Sequence, residues 1–170
     1  MSVKIGKELR AKLKRLRLLS LDTDGVLTDG GIYFTDAGDE MRKFNVKDGL
    51  GIQRAQRAGV VVVMMTASTA PAIAHRARAL GVEHIYIDTR DKLARIVKIC
   101  DDLEIDLEDV AHVGDDLTDI ALFEAVGCPM TVADGVNEAR ALAQYITERR
   151  GGDAAVREIC DLIVEAKAEA

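Results

Sequence analysis

The sequence predicts an α/β fold in which a parallel β-sheet is covered by helices on both faces. Short apolar runs alternate along the chain with longer segments that have helical periodicity. Strands and helices that alternate in this way form right-handed βαβ units, which build a parallel sheet with helices on each side. The 170 residues, 48% of them hydrophobic, are enough for one domain, 1–170, with a sizeable core.

Five apolar runs predict the buried strands of this sheet. They cover residues 16–22, 60–66, 84–88, 110–114 and 129–133. Helical periodicity predicts helices at residues 48–58, 69–80, 91–104, 117–126, 136–144 and 153–168, the last within a C-terminal tail of about 148–170. The basic N-terminal segment predicts a leading helix whose charged side faces solvent.

Residues 31–47 interrupt the alternation of strands and helices. Two strand-like runs flank a turn signal at residues 36–39, which predicts a β-hairpin inserted directly after the first strand. Its apolar residues alternate or nearly alternate along the chain: Ile32, Phe34, Met41 and Phe44. An isolated hairpin is only marginally stable in water, so this one either folds back over its own sheet or pairs with another chain.

Polar side chains follow the predicted strands at the point where each strand ends. Asp22 and Asp24 follow the first strand, and Asp115 follows the fourth. Thr66 ends the second strand, and Lys92 begins the helix after the third. In open parallel sheets the ligand lies beyond the carboxyl ends of the strands, so we expect these five side chains, and Asp116 next to Asp115, to line one crevice.

The chemistry of these side chains indicates Mg²⁺ and phosphate as ligands. Several carboxylates favour a hard divalent cation, and a hydroxyl with an ammonium opposite the metal suits a phosphoryl group. A metal-bound carboxylate can attack phosphorus to form an aspartyl phosphate, while a second carboxyl protonates the leaving oxygen and then activates water. The turn of residues 23–26 is expected to add free backbone N–H donors.

Each of these residues has a structural explanation when it is taken alone. Acids are common in turns after strands, and Thr66 or Lys92 could simply end a strand or begin a helix. Asp119 alone is interpreted as a helix-turn acid, and His112 as a hydrogen-bonded core residue. The ordered set, with every member at one edge of the sheet, is what indicates a catalytic site.

Four segments resemble, in order, the motifs of the haloacid dehalogenase-like phosphohydrolases. These motifs are matched by residues 22–28 (DTDGVLT), Thr66, Lys92 and residues 114–119 (GDDLTD). Residues 28–52 and 146–163 are further similar to the 3-deoxy-D-manno-octulosonate 8-phosphate phosphatases and their nonulosonate-phosphate relatives. The similarity covers nearly the whole chain from about residue 16 onward.

The resemblance implies a Rossmann-like fold without a large cap domain, and it implies roles for the crevice residues. Asp22 would be the nucleophile and a Mg²⁺ ligand. Asp24 would be the general acid and base, with its backbone carbonyl on the metal, and Asp115 would be the third protein ligand. Thr66 and Lys92 would hold the phosphate.

The resemblance also implies an assembly and a substrate. The family is a homotetramer whose hairpins meet at the centre, so that neighbouring subunits cover each active site. The residues that match contacts to the sugar acid are Asn45, Lys47, Asp48, Gly49 and Arg76. A glycine-rich segment, residues 151–157, matches one that can reach a neighbour's site. The implied enzyme is a phosphoric monoester hydrolase of lipopolysaccharide biosynthesis.

Two positions depart from the family pattern. Thr66 is followed by Ala67 and Ser68, where the family usually has glycine and then arginine or glutamate. The arginine form goes with octulosonate phosphates and the glutamate form with nonulosonate phosphates, so a nonulosonate 9-phosphate is the alternative substrate. Ala154 stands where the family commonly has glycine.

Two other classes of protein also have an acidic, phosphate-binding crevice. A signalling receiver domain combines Mg²⁺ with a phospho-aspartate, but receivers have adjacent acids after strand one and an acceptor aspartate after strand three. Here Asp22 and Asp24 straddle one residue, and a second acidic pair follows strand four. An inactive relative that binds a sugar phosphate is the other alternative, and Ser68 motivates it.

Charge and composition bear on partners and location. A formal charge of −6 argues against a general nucleic-acid partner. We expect no contact with a membrane, since no apolar stretch approaches the about 20 residues that a span requires, and no signal peptide, since the N-terminus lacks an apolar core. Three widely spaced cysteines, Cys100, Cys128 and Cys160, indicate reduced thiols and a cytoplasmic protein.

Overall fold

A computed structural model of the chain describes residues 5–168. Within this range the strands are β1 (Leu18–Asp22), β2 (Tyr33–Phe34), β3 (Glu40–Met41), β4 (Val61–Met65), β5 (His84–Tyr86), β6 (Val110–Gly114), β7 (Cys128–Thr131) and β8 (Tyr145–Ile146). The α-helices are α1 (Lys7–Arg15), α2 (Val46–Arg57), α3 (Pro71–Ala79), α4 (Lys92–Leu103), α5 (Ile120–Ala125), α6 (Asn137–Leu142) and α7 (Ala155–Ala168). Short 3-10 turns lie at Leu107–Asp109 and Leu117–Asp119.

Six strands form one parallel sheet in the order β5-β4-β1-β6-β7-β8. The chain builds outward from β1 to β4 and β5, then returns to the other side of β1 with β6. The strand order therefore reverses beside β1, and ligands bind at such a switch point in open α/β sheets. The predicted α/β fold is confirmed, and the prediction missed only the short edge strand β8.

Both faces of the sheet are buried, which explains the continuous apolar runs of its strands. In β1, Leu19 and Leu21 face a core built with α1, α2, α3 and α7, whereas Leu18 faces a smaller core built with α4 and α5. Side chains alternate between the two faces because successive residues of a strand point in opposite directions. Ser20 and His112 therefore face the α4 and α5 side, and the two residues are paired across β1 and β6.

The inserted hairpin is shorter than the predicted range of 31–47. Only Tyr33–Phe34 and Glu40–Met41 form its antiparallel ladder, and a bridge between Thr28 and Phe44 ties its base to the first loop. The prediction is wrong for residues 46 and 47, which belong to α2, because Asn45 caps that helix by accepting a hydrogen bond from the N–H of Lys47. No larger cap domain occurs between residues 5 and 168.

The hairpin presents apolar side chains to solvent. Ile32 is 56% exposed and Phe34 is 65% exposed, and Met41 is also exposed. Phe44 differs from them, since it is partly buried and packs against the main core. The hairpin therefore does not bury these exposed apolar residues against its own sheet. An exposed apolar surface of this kind can pair with another chain.

The C-terminal segment is an integral part of the fold. The last helix, α7, packs against α1 and α2 and buries Val156, Ile159 and Ile163 in the main core. A leading helix, α1, occurs before β1 as predicted. Among the described residues, no helix has both the length and the apolar character needed to cross a membrane.

Candidate active site

The carboxyl ends of the central strands open into a crevice of about 290 Å³. Its lining includes all five residues that the sequence predicts for catalysis, metal binding and phosphate binding: Asp22, Asp24, Thr66, Lys92 and Asp115. Asp116 and Ser68 also line it. The acidic strand ends and the single lysine therefore meet in one place, as the sheet topology requires.

Strand register sets the positions of the crevice residues. Asp22, the last residue of β1, lies opposite Met65 at the end of β4, so Thr66 follows at the same level. On the other side of β1, Leu21 pairs with Val113 of β6. Asp115 therefore begins the loop just beyond the end of β6, next to Asp22.

Lys92 lies between two carboxylates at the start of α4. Its Nζ is 3.0 Å from Asp22 Oδ1 and 2.6 Å from Asp119 Oδ1, and its side chain is 4% exposed. Burial disfavours the charged form, but the neighbouring charges of Asp22 and Asp119 outweigh it and raise the pKa of Lys92. The side chain therefore stays an ammonium and keeps a positive charge beside the predicted nucleophile.

Asp119 holds the lysine in place, a role that its interpretation as a helix-turn acid missed. Oδ1 lies 2.9 Å from His112 Nε2 besides contacting Lys92, and Oδ2 accepts hydrogen bonds from the N–H groups of Asp115 and Asp116 at 3.1 and 3.4 Å. Although burial opposes ionisation, contacts with His112 and Lys92 hold the pKa of Asp119 well below its usual range. Asp119 is therefore a buried anion with both oxygens engaged.

His112 is a hydrogen-bonded core residue, as the sequence predicts. Its Nδ1 lies 3.0 Å from Ser20 Oγ, and its ring meets Phe123 in an edge-to-face contact. Through Asp119, the ring is linked to Lys92 and so to Asp22. A continuous buried polar network thus supports the floor of the crevice.

Three carboxylates converge at the floor of the crevice and could bind a metal ion. One oxygen each of Asp22, Asp115 and Asp119 lies within 4.8 Å of the others. Asp119 is the poorest ligand of the three because its oxygens already accept bonds from Lys92 and from backbone N–H groups. Asp22 and Asp115 retain oxygens for a cation, and hard oxygen donors of this type match Mg²⁺.

The pKa values of Asp115 and Asp22 reflect burial first and then the repulsion that a cation would relieve. Burial raises the pKa of Asp115 to about 8, and the charges of Asp22, Asp119 and Asp116 add to this effect. Burial also raises the pKa of Asp22 to about 6, although Lys92 opposes the rise. A divalent cation would favour the ionised forms of both groups, so the donor set fits Mg²⁺.

The loop after β1 approaches the acids closely. Gly25 has φ +82°, and a Cβ at this position would lie 1.9 Å from Asp115 Oδ2, so only glycine fits here. The prediction of free N–H donors in this turn is wrong for Gly25 and Val26. Gly25 N–H donates to Thr28 Oγ1, and Val26 N–H donates to the carbonyl of Thr23.

Asp24 lies at the mouth of the crevice and is held from the hairpin side. Arg42 Nε donates to Asp24 Oδ1 at 2.6 Å, and Thr66 Oγ1 donates a long hydrogen bond of 3.4 Å to Oδ2. Arg42 is not among the residues predicted from the sequence, because nothing in its local pattern shows that the hairpin returns to Asp24. The two acids at the end of β1 thus lie at different depths. Asp22 is buried on the floor of the crevice, and Asp24 lies above it with its side chain 34% exposed.

The five predicted sugar contacts do not line this crevice within one chain. Asp48 is buried, and its Oδ1 accepts a hydrogen bond from the N–H of Arg157 at the start of α7. Arg76 donates to the carbonyl of Asn45, and a Cβ on Gly49 would meet the Arg76 guanidinium. Lys47 is exposed on α2. Their contact with a sugar acid stays a prediction, and in this chain the interactions of Asn45, Asp48 and Arg76 are structural.

The glycine-rich segment after β8 lies against the first loop of its own chain. The N–H of Gly152 donates to the carbonyl of Val26 at 3.0 Å, and its carbonyl accepts from Asn45 Nδ2 at 3.3 Å. A Cβ on Gly151 would lie 1.7 Å from the carbonyl oxygen of Gly25. The segment therefore supports the loop that carries Asp24, and Ala154, which has φ +67°, is buried beside it.

Known proteins share both the sequence and the fold of this chain. Residues 80–159 match the haloacid dehalogenase-like hydrolase family. Over 163 residues the chain is 40% identical to the 3-deoxy-D-manno-octulosonate 8-phosphate phosphatase KdsC of Escherichia coli (strain B / BL21-DE3), covering 96% of this chain and 87% of that protein. The chain belongs to the 3-deoxy-D-manno-octulosonate 8-phosphate phosphatase family.

Solved members of this phosphatase family have the same fold. The enzyme from Moraxella catarrhalis, crystallised with a magnesium ion, a phosphate ion and KDO, aligns with a TM-score of 0.94 at 36% identity, over 97% of this chain and 95% of its own. The enzyme from Yersinia pestis aligns with a TM-score of 0.94 at 36% identity, over 97% and 89%. Phosphatases of this family therefore share the fold across nearly the whole chain.

Proposed function

We propose that this protein is a Mg²⁺-dependent phosphatase that hydrolyses the phosphomonoester of a sugar acid, with 3-deoxy-D-manno-octulosonate 8-phosphate as its substrate. The observation that carries the proposal is the position of Asp22. Its carboxylate lies between the Lys92 ammonium and the Asp115 carboxylate on the floor of an open crevice, with Asp24 above it. Membership of the phosphatase family supports the same reaction.

In the first half of the reaction, an oxygen of Asp22 attacks phosphorus and forms a new P–O bond. The bond from phosphorus to the ester oxygen breaks, and Asp24 gives its proton to that oxygen, so the sugar leaves as an alcohol. This leaves an aspartyl phosphate on Asp22 and a carboxylate on Asp24. The exposure of Asp24 at the mouth of the crevice supports its access to the leaving group.

In the second half, the Asp24 carboxylate takes a proton from a water molecule as that water attacks phosphorus. The bond between phosphorus and Asp22 breaks, inorganic phosphate leaves, and Asp22 is a free carboxylate again. Asp24 is then protonated and ready for the next substrate. One residue thus serves first as the acid and then as the base.

Asp22 and Asp115 would bind the Mg²⁺ ion, together with the backbone carbonyl of Asp24. The ion would supply positive charge to the phosphoryl oxygens and would hold the nucleophile in line. Thr66 and Lys92 would bind the phosphate from the opposite side through a hydroxyl and an ammonium. The raised pKa of Lys92 supports this role, because the ammonium persists throughout the neutral pH range.

The assembly and location of the protein form part of the proposal. The exposed apolar side chains of the hairpin support a homotetramer in which hairpins from neighbouring subunits cover each crevice. Such a cover would bring a neighbour's exposed side chains, Lys47 among them, to the sugar, whereas Asp48 is buried in its own chain. Three free, buried cysteines support a location in the reducing cytoplasm.

A phosphate-release assay over a panel of sugar-acid phosphates tests the proposal. We expect Mg²⁺-dependent turnover, with the highest kcat/KM for 3-deoxy-D-manno-octulosonate 8-phosphate. A higher kcat/KM for a nonulosonate 9-phosphate would make that compound the substrate instead. The panel includes it because Ser68, which lines the crevice, stands where the family usually has arginine or glutamate. Binding of these phosphates without release of inorganic phosphate would refute the enzymatic function.

A further inference from the structure

Arg42 brings a buried guanidinium from the hairpin to the mouth of the crevice. Its side chain is 2% exposed, and it follows β3 directly in the chain. Nε donates to Asp24 Oδ1 at 2.6 Å, and Nη1 lies 2.6 Å from Glu40 Oε1. A longer contact of 3.4 Å links Nη2 to Ser68 Oγ. The guanidinium thus joins the hairpin, Asp24 and the loop after β4.

The contact with Arg42 is the strongest constraint on the Asp24 side chain. The hydrogen bond is short and comes from a charged donor, whereas the bond from Thr66 to the other oxygen measures 3.4 Å. Asp24 is 34% exposed, so packing alone does not fix its rotamer. Glu40 holds the guanidinium from the other side, and the planar fork of an arginine transmits that constraint to Asp24.

The position of a general acid matters as much as its identity. Proton transfer requires the carboxyl to lie within hydrogen-bond distance of the leaving oxygen, and a small displacement can greatly reduce the rate. We propose that Arg42 is a positioning residue that aims Asp24 at the leaving oxygen of the substrate. This inference rests on the proposed phosphatase function and assigns part of the catalytic geometry to the hairpin.

Leaving groups of different basicity test this role. A basic leaving group needs a proton from Asp24 as the P–O bond breaks, whereas para-nitrophenolate leaves readily without one. We would measure kcat/KM for phenyl phosphate and for para-nitrophenyl phosphate with the wild type, with Arg42→Gln and with Arg42→Lys. Arg15→Gln is the matched control, because Arg15 is ion-paired with Glu108 and Asp109 away from the crevice.

We expect Arg42→Gln to lower kcat/KM for phenyl phosphate by roughly tenfold more than for para-nitrophenyl phosphate, a fraction of what general acid catalysis contributes. Arg42→Lys should lie between this variant and the wild type, since a lysine cannot hold Asp24 and Glu40 with one rigid fork. Arg15→Gln should leave the ratio of the two rates unchanged. If Arg42→Gln does not fold, Arg42→Lys decides the question through the same ratio.

Equal losses for the two esters would overturn the inference, as would a rise in KM alone, which would make Arg42 a binding residue. Failure of the proposed function gives a different result. In that case the wild type itself would release no phosphate from either ester in the presence of Mg²⁺. An active wild type with an unchanged ratio in the Arg42 variants removes only the positioning role.

Discussion

Lys92 and Asp119 form a buried ion pair in which Nζ lies 2.6 Å from Oδ1, and the same ammonium contacts Asp22 at 3.0 Å. The lysine is therefore shared between a structural carboxylate and the proposed nucleophile. Asp119 is itself fixed by His112 and by two backbone N–H groups. The charge that we propose to bind phosphate is thus set in place before any substrate arrives, which is the arrangement that electrostatic catalysis requires.

Replacement of Asp22 by asparagine should abolish turnover and leave the fold intact. The amide cannot attack phosphorus, while its shape matches that of the carboxyl group. Phosphate release and far-UV circular dichroism measure the two effects. Asp101→Asn, on the exposed side of α4, is the matched control and should retain full activity. Near wild-type turnover by Asp22→Asn would show that the aspartyl-phosphate mechanism is wrong.

Chelation should stop the reaction, and added Mg²⁺ should restore it. Asp22 and Asp115 offer oxygens to a hard cation, and the described residues place no histidine or cysteine within their carboxylate group. Activity would be measured after EDTA treatment and again after titration with Mg²⁺. Full activity in excess EDTA would contradict the metal requirement.

Replacement of Asp119 by asparagine should destabilise the protein and impair catalysis together. The change leaves Lys92 buried with one anionic partner fewer, and breaking a buried pair costs about 3–5 kcal/mol. Urea denaturation measures the free energy of unfolding. Asp102→Asn breaks an exposed pair with Lys98 and should cost less than about 1 kcal/mol. Equal costs for the two variants would show that the network does not stabilise the fold.

Assembly should depend on the exposed face of the hairpin. Phe34→Asp should convert the proposed tetramer into smaller species and raise KM, because a charge at an apolar interface loses its hydration. Light scattering gives the mass, and Leu142→Asp on α6 is the control for an exposed apolar residue elsewhere. A wild-type protein that is fully active at the monomer mass of 18.4 kDa would rule out this dependence.

The buried carboxyl of Asp48 should make stability depend on pH between about 4 and 6. Burial raises its pKa from 3.8 to about 6, so the folded protein binds this proton more tightly than the unfolded chain does. The stabilising effect of the proton is complete below pH 4 and is lost as the pH rises through 6, a change of about 3 kcal/mol. Asp48→Asn should remove this pH-dependent loss of stability, because the amide does not titrate.

Urea denaturation of the wild type and of Asp48→Asn across this range measures the effect. The free energy of unfolding of the wild type should fall relative to that of the variant as the pH rises. A difference that stays constant from pH 4 to pH 7 would show that Asp48 has an ordinary pKa in the folded protein.

The sequence predicted the residues whose positions follow from strand ends. Asp22, Thr66 and Asp115 come directly at or after apolar strands, so a parallel sheet brings them together whatever the loops do. Arg42 and the role of Asp119 could not be found in the same way. The distance from Arg42 to Asp24 depends on how the hairpin folds back. The role of Asp119 depends on contacts with Lys92 at the start of α4 and with His112 inside β6, which only the folded chain brings to its carboxylate.

The support that Gly151 and Gly152 give to the first loop joins two segments that are translated at different times. Asp22 and Asp24 are translated well before Gly151 and Gly152, whose backbone supports their loop. A hydrogen bond from Lys167 to the carbonyl of Lys14 also joins the first and last helices. A nascent chain therefore carries both acids before the backbone that supports their loop has been made.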